Sequence, residues 1–211
     1  MDSFLNFKEL LVLYILAVAL SVGAQEKETK DEKPAYYYDV LGKVKAGLVF
    51  PSAYGDNFLA QNYDIRTGVH LDAMVKIDKV RDLGVQIQGI QGVVTNNDNL
   101  GLLESSTITS AFLVLGHTLL GRKNDLEFNA NIGLGYIDFR NRVGLRRFND
   151  SGTALMAGAE LSYRLSNAFG IFIAAQSQWG FLRIDAAESV RGFLRNTRVF
   201  QPIFGIKFYI L

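Results

Sequence analysis

From Asp64 to Asp78 the chain alternates almost strictly. Ile65, Thr67, Val69, Leu71, Ala73, Val75 and Ile77 hold the odd positions, and Asp64, Arg66, Gly68, His70, Asp72, Met74, Lys76 and Asp78 the even ones. Successive side chains of a strand point to opposite faces, so this run is a long strand with one apolar and one polar face. A helical period of 3.6 would mix the two sets around a cylinder. Leu126–Tyr136, Leu155–Leu165 and Phe200–Ile210 repeat the pattern, and weaker versions cover 43–51, 83–91, 107–119 and 169–183. That gives eight strands. The middle of 107–119 (Phe112-Leu113-Val114-Leu115) is apolar on both faces, so its orientation stays open.

The connections alternate in length. Asp78–Asp82, Gly121–Asp125 and Ser166–Ala168 are short and polar, while 51–62, 92–106, 140–152 and 185–197 are long. In an up-and-down barrel every second connection lies at the same end. One end therefore carries three tight turns and both termini, and the other carries four long loops. The expected fold is all-β: an eight-stranded antiparallel up-and-down transmembrane barrel over 40–211, with a polar, plugged interior.

Residues 1–24 read as a secretory signal. Leu10–Leu20 is an unbroken apolar run too short to cross a bilayer as a helix, and it exits through Ser21-Val22-Gly23-Ala24, with cleavage expected before Gln25. Residues 25–39 open with the charged QEKETKDEKPA and are expected to form a flexible periplasmic lead-in ending in Tyr36–Tyr38.

An alternating eight-stranded barrel can be built two ways. A soluble barrel turns its apolar face inward; a membrane barrel turns it outward. The polar faces here are rich in Gly, Asn and Gln, which suit a narrow interior better than a solvated surface. Aromatic residues bracket the strands, with Tyr63, Tyr136, Phe139, Trp179, Phe181 and Phe200 near one end and Phe128, Tyr163, Phe169 and Phe208 near the other. Two such girdles match two lipid–water interfaces. The outward-apolar form is therefore expected, with closure forced because lipid tolerates no open sheet edge.

Signal, alternating strands, loop asymmetry and the terminal Phe208-Tyr209-Ile210-Leu211 together resemble small outer-membrane β-barrels of the OmpA/OmpX type, within the porin-like outer-membrane barrel family. The resemblance implies residence in a Gram-negative-type outer membrane and delivery by the barrel-assembly machinery. Its members include structural anchors, adhesins, secretion accessories and narrow channels, so the fold does not fix the role. Members usually end in Phe, where this chain ends in Leu211.

Eight strands leave an interior just wide enough for side chains. The inward set carries both charge signs, and buried charges persist only when paired. An internal network of His70, Asp72, Glu127, Glu160, Arg164 and Lys207 is expected, with Glu127 and Arg164 facing each other on neighbouring strands. Lys43, Lys45, Arg66, Lys76, Gln86, Gln88, Asn129, Asn131, Gln176 and Gln178 belong to the same inward set.

Catalytic and cofactor signals are weak. The chain has no Cys and only two His, which removes thiolate chemistry and makes a multi-His metal site implausible. His70 with Asp72 and the turn-end His117 read as structural. Asn96-Asn97-Asp98-Asn99 with Glu104 has a Ca²⁺-like composition without the spacing of a Ca²⁺ loop, and reads as a polar loop. A formal net charge of +1 gives no field suited to nucleic acid. No catalytic residue, metal or cofactor is assigned.

The most suggestive cluster is basic. Arg140, Arg142, Arg146 and Arg147 lie in or beside the third long loop, and Arg191, Arg195 and Arg198 in or beside the fourth. Arg binds phosphate bidentately. Contact with lipopolysaccharide is therefore expected through Arg142, Arg146, Arg147, Arg191 and Arg195. Val93, Val94, Leu100, Leu102 and Leu103 suggest a protein partner for the second long loop. A structural or interaction role leads; a narrow channel or carrier of small hydrophobic molecules is the alternative, and a lipid-modifying enzyme ranks third.

Overall fold

The computed structural model describes residues 40–96, 100, 102–120, 125–184 and 188–211, with Ser189 and Val190 as backbone only. The expected signal and lead-in over 1–39 lie outside the described residues, as do Asn97–Asn99 of the polar loop.

Eight long staves close a cylinder. They are β1 (Gly42–Val49), β3 (Tyr63–Lys76), β4 (Arg81–Val94), β5 (Ser105–Leu120), β6 (Leu126–Val143), β7 (Arg146–Arg164), β8 (Phe169–Leu182) and β9 (Asn196–Ile210). Each pairs antiparallel with the next, and β9 closes on β1 from Gly42↔Ile210 to Val49↔Ile203. A short β2 (Ser52–Ala53) continues the line of β1 along β9. Every stave is thus paired on both sides, which satisfies the backbone without help from water.

The turn chemistry is local. The Asp78 carboxylate accepts from the Val80 and Arg81 amides, both at 2.9 Å, and from Arg81 Nε at 2.7 Å. Those bonds, the Val80 amide first, hold its carboxyl below the usual carboxylate range. Ser166 Oγ accepts from the Ala168 and Phe169 amides in the turn between β7 and β8.

The exterior is greasy. Leu71 is 55% exposed, Leu134 63% and Phe204 54%, and they belong to a belt of outward apolar side chains that includes Val85, Leu113 and Ile173. Tyr163, Phe169 and Phe208 border this belt at the turn end, and Phe50, Tyr136 and Phe181 at the loop end. Strand β5 resolves its orientation in the same sense: Phe112 and Val114 are buried, and Leu113 is turned out. A surface this apolar has hydrocarbon, not water, as its solvent.

Four features depart from the reading of the sequence. First, the expected loop over 140–152 is a hairpin. β6 and β7 stay in register out to Val143↔Arg146 and turn through Gly144-Leu145 alone. Gly144 takes a φ of +56°, the left-handed conformation that a two-residue hairpin turn requires. Above the lipid belt both faces of a strand become polar, so the alternation there is hidden and the arginines read as loop.

Second, β3 carries a bulge. The register with β4 shifts between Arg66↔Gln91 and Val69↔Gly89, setting Thr67 and Gly68 against Ile90. Parity flips there. Arg66 is exposed on the outside instead of inside, and Tyr63 is buried inside instead of in a girdle. Third, two short helices sit in the loops: α1 (Phe58–Asn62) and α2 (Glu188–Arg195). Asn57 caps α1 by accepting from the Ala60 amide at 3.1 Å.

Fourth, the interior is layered. The polar filling holds at the lower and middle levels. Above it lies an apolar plug of Ile90, Leu103, Ile108, Ile137, Phe139, Leu182 and Val199, roofed by Phe58 and Leu59 of α1. Phe58 packs on Tyr63 and Phe139 with ring centroids 5.9 and 5.8 Å apart. Leu103, expected to face a partner, belongs to this plug, while Leu102 remains 81% exposed.

Candidate functional site

Two regions gather the polar chemistry, the lumen and the outer end. In the lumen, inward positions of six staves build one alternating chain of charges. Asp82 of β4 meets Lys43 of β1 at 2.9 Å, and Lys43 also binds Glu127 of β6. Glu127 lies 3.5 Å from Lys207 of β9, which lies 2.8 Å from Glu160 of β7. Glu160 meets Lys45 of β1 at 2.7 Å, and Lys45 meets Asp72 of β3 at 3.1 Å. The order is acid–base throughout, with a carboxylate at each end, so every ammonium touches two carboxylates.

Side-chain bonds complete the coordination. Lys207 also donates to Ser162 Oγ at 2.9 Å, and Asn129 donates to Glu127 at 2.9 Å while accepting from Thr118. Each ammonium meets two carboxylates, and Lys207 a hydroxyl as well, which is what ion pairs this deep require, while Asp82 and Asp72 at the ends each meet one lysine. The chain runs from one wall to the other, since β1 and β6 are not neighbours in the sheet.

A glutamine layer follows. Gln176 donates to Gln201 at 2.7 Å, and Gln86–Gln176 and Gln201–Gln178 contacts at 3.4 Å extend it across the lumen. His70 Nδ1 lies 3.2 Å from the Gln88 amide nitrogen, and its ring packs toward Phe172.

Of the lumen residues expected from the sequence, the structure brings Asp72, Glu127, Glu160 and Lys207 into one network, with His70 in the layer above. Arg164 is not among them. Its Nε and Nη2 donate to the Ser166 and Asn167 carbonyls at 3.0 and 2.7 Å, and its guanidinium stacks 4.4 Å from the Tyr209 ring centroid. It sits at the mouth, where two of its nitrogens find turn carbonyls; Glu127 takes the two lysines instead. Alternation puts Lys43 and Lys45 on the inward face, and the structure has both of them buried in the network. Asp82 gives no such signal, because it lies at the start of β4, where a polar turn is expected to end.

At the outer end the β6–β7 hairpin gathers Arg142, Arg146 and Arg147. Arg142 lies directly opposite Arg147. Arg142 Nε donates to the Gly144 carbonyl at 3.2 Å and lies 3.5 Å from Glu104, and Arg140 lies 3.3 Å from Asp138. Arg191 and Arg195 stand on α2, the Arg195 Nε donating to the Ile184 carbonyl at 3.2 Å. Arg198 is exposed on β9. Both groups sit at the outer end, on separate elements.

No family model matches the sequence, and no curated protein matches it. Solved structures do. The crystal structure of neisserial surface protein A (NspA) matches with a TM-score of 0.59 at 10% identity, covering 80% of this chain and 97% of that one. The fold is that of the small outer-membrane barrels. The outer membrane protein AlkL, solved by solid-state NMR in lipid bilayers, matches at 0.53 with 13% identity over 87% and 96% of the two chains. The outer membrane protein OprG of Pseudomonas aeruginosa matches at 0.51 with 11% identity over 81% and 97%. At these identities the likeness is one of fold. It agrees with the outward apolar belt and inward charges, and it leaves the role to the residues themselves.

Proposed function

We propose that this chain is a non-enzymatic resident of a Gram-negative-type outer membrane, whose role is structural and interaction-based. Residues 1–24 serve as its export signal, and the aromatic alternation of β9 is the feature the barrel-assembly machinery reads. The observation that carries the reading is the crossed lumen. A chain of ion pairs, a glutamine layer and an apolar plug succeed one another along the axis, which leaves the outer end as the surface with chemistry to offer. His70 and Asp72, the nearest approach to a catalytic pair, are committed to the interior: Asp72 holds Lys45, and His70 faces Gln88.

A filled lumen carries no ions. Purified protein in planar bilayers is expected to give no discrete conductance steps; reproducible steps would favour the narrow-channel alternative and overturn this reading. The outer arginines suit lipopolysaccharide phosphates, since guanidinium binds phosphate through paired donors. Replacing Arg142, Arg146, Arg147, Arg191 and Arg195 by Gln is expected to strip most of the co-purifying lipopolysaccharide while leaving the heat-modifiable gel shift of the folded barrel intact. Unchanged co-purification would dismiss the lipid contact.

A further inference from the structure

Above the lipid belt the outward side of the wall keeps its order, and the register between staves names its rows. One row runs Leu71↔Ile87↔Ala111↔Tyr136 and belongs to the belt. Further out, Arg66↔Gln91↔Thr107↔Arg140↔Asn149 crosses five consecutive staves, and all five side chains are exposed. The next outward positions on β6 and β7 are Arg142 and Arg147, directly opposite each other. At the rise of a strand, Arg140 stands about 13 Å beyond Tyr136 along β6, and Arg142 about 20 Å.

Parity divides the outer arginines. Arg146 pairs with Val143, on the same side as Asn141 and Phe139, which are buried toward the axis. It therefore turns away from the surrounding leaflet. Arg191 and Arg195 stand apart on α2. Arg140, Arg142 and Arg147 face the neighbouring lipid. Asp138 holds Arg140 through its Nε, and the Gly144 carbonyl and Glu104 hold Arg142 in the same way, which steadies both stems. Those two carboxylates offset two of the three charges, and Arg147 has no carboxylate partner among the described residues.

A molecule lying against this face meets three chemistries in order. The hydrocarbon of Val85, Leu113 and Leu134 comes first. A row of amides and a hydroxyl around Arg140 follows, and then the facing pair of Arg142 and Arg147. A phospholipid carries its phosphate next to its acyl chains and has no sugar ring to fill the polar row. We propose that the outward face of β4–β7 docks the phosphorylated sugar headgroup of a lipopolysaccharide molecule in the surrounding leaflet. Arg140, Arg142 and Arg147 hold its phosphate through paired donors, Gln91, Thr107 and Asn149 bond its ring hydroxyls, and its acyl chains lie along the belt below. This rests on the lipopolysaccharide contact proposed above and assigns it to one face, without Arg146, Arg191 and Arg195.

The test uses the full folded protein in detergent and measures the lipopolysaccharide retained per barrel. Arg140→Gln with Arg142→Gln and Arg147→Gln is expected to retain about tenfold less than the parent. Arg146→Gln with Arg191→Gln and Arg195→Gln is expected to retain the parent amount. A second measurement needs no variant: the delipidated parent is expected to rebind lipopolysaccharide about tenfold more tightly than its dephosphorylated form, and phosphatidylglycerol at equal concentration is expected not to displace it. Parent-level retention by the first variant, or a loss of equal size in both, overturns the proposal. The contact it rests on then stands if the five-arginine variant still loses its lipopolysaccharide, and falls with it otherwise. Displacement by phosphatidylglycerol, or equal binding of the dephosphorylated form, overturns the proposal whether or not the variants fold.

Discussion

Replacing Lys207 with Met is expected to cost the folded barrel about 3–5 kcal/mol, the usual consequence of removing one member of a buried ion pair. Lys207 is fully buried and holds Glu127, Glu160 and Ser162 at once. Without it, Glu127 keeps Lys43 and Glu160 keeps Lys45, but two lysines then face four carboxylates in the lumen. The measurement is urea unfolding of protein refolded into detergent, read by the gel shift of the folded form and by the fluorescence of the single Trp179. A companion variant keeps the test specific. Lys207→Met with Glu160→Gln removes a charge of each sign, and recovery of at least half the loss is expected. The exposed Arg140–Asp138 pair provides the contrast, since Arg140→Gln should move stability by about 0–1 kcal/mol. An unchanged midpoint for Lys207→Met would mean that the alternating chain of charges does not hold the staves together.

The sequence made this architecture legible wherever a single physical rule acted along a whole strand. Leu71, Leu134 and Phe204 point outward because lipid rewards one parity and the filled lumen the other, and that contrast is written every second residue. What stayed hidden lies where the rule lapses. The bulge at Thr67–Gly68 breaks no composition pattern, so Arg66 and Tyr63 were assigned to the wrong faces. Above the lipid belt water meets both sides of a strand, so β6 and β7 continue with no alternation to announce them. Ile137 and Phe139 were invisible as core for the same reason: an apolar plug above the lipid belt inverts the parity rule. Partner choice was hidden for a geometric reason. Arg164 and Glu127 occupy neighbouring staves, but closure brings Lys43 and Lys207 from across the cylinder, and only three-dimensional register tells that. The outer arginines were visible as a cluster. Their division between a hairpin and α2 was not, because both were expected to be loops.

Arg in place of Phe204 is expected to cost about 2–4 kcal/mol in lipid vesicles, and the same change at Phe181 about 0–1 kcal/mol. Both residues point outward, with Phe204 54% and Phe181 45% exposed, so neither substitution removes a packed core side chain. The difference is depth. Phe204 pairs with Leu48 and Ile173, within the apolar belt, whereas Phe181 pairs with Asn196 near the outer end of β8, close to the polar rim. A guanidinium at the first site must shed water or draw it into the hydrocarbon, while at the second it reaches the interface by extending its stem. Unfolding free energies for the two variants and the parent in vesicles of one lipid composition decide the matter. A barrel with water outside would accept Arg at both positions equally well, since each would sit on a solvated surface. Equal values would therefore turn the exterior from a lipid-facing wall into an ordinary surface, and the lumen charges would lose the reason for their concealment.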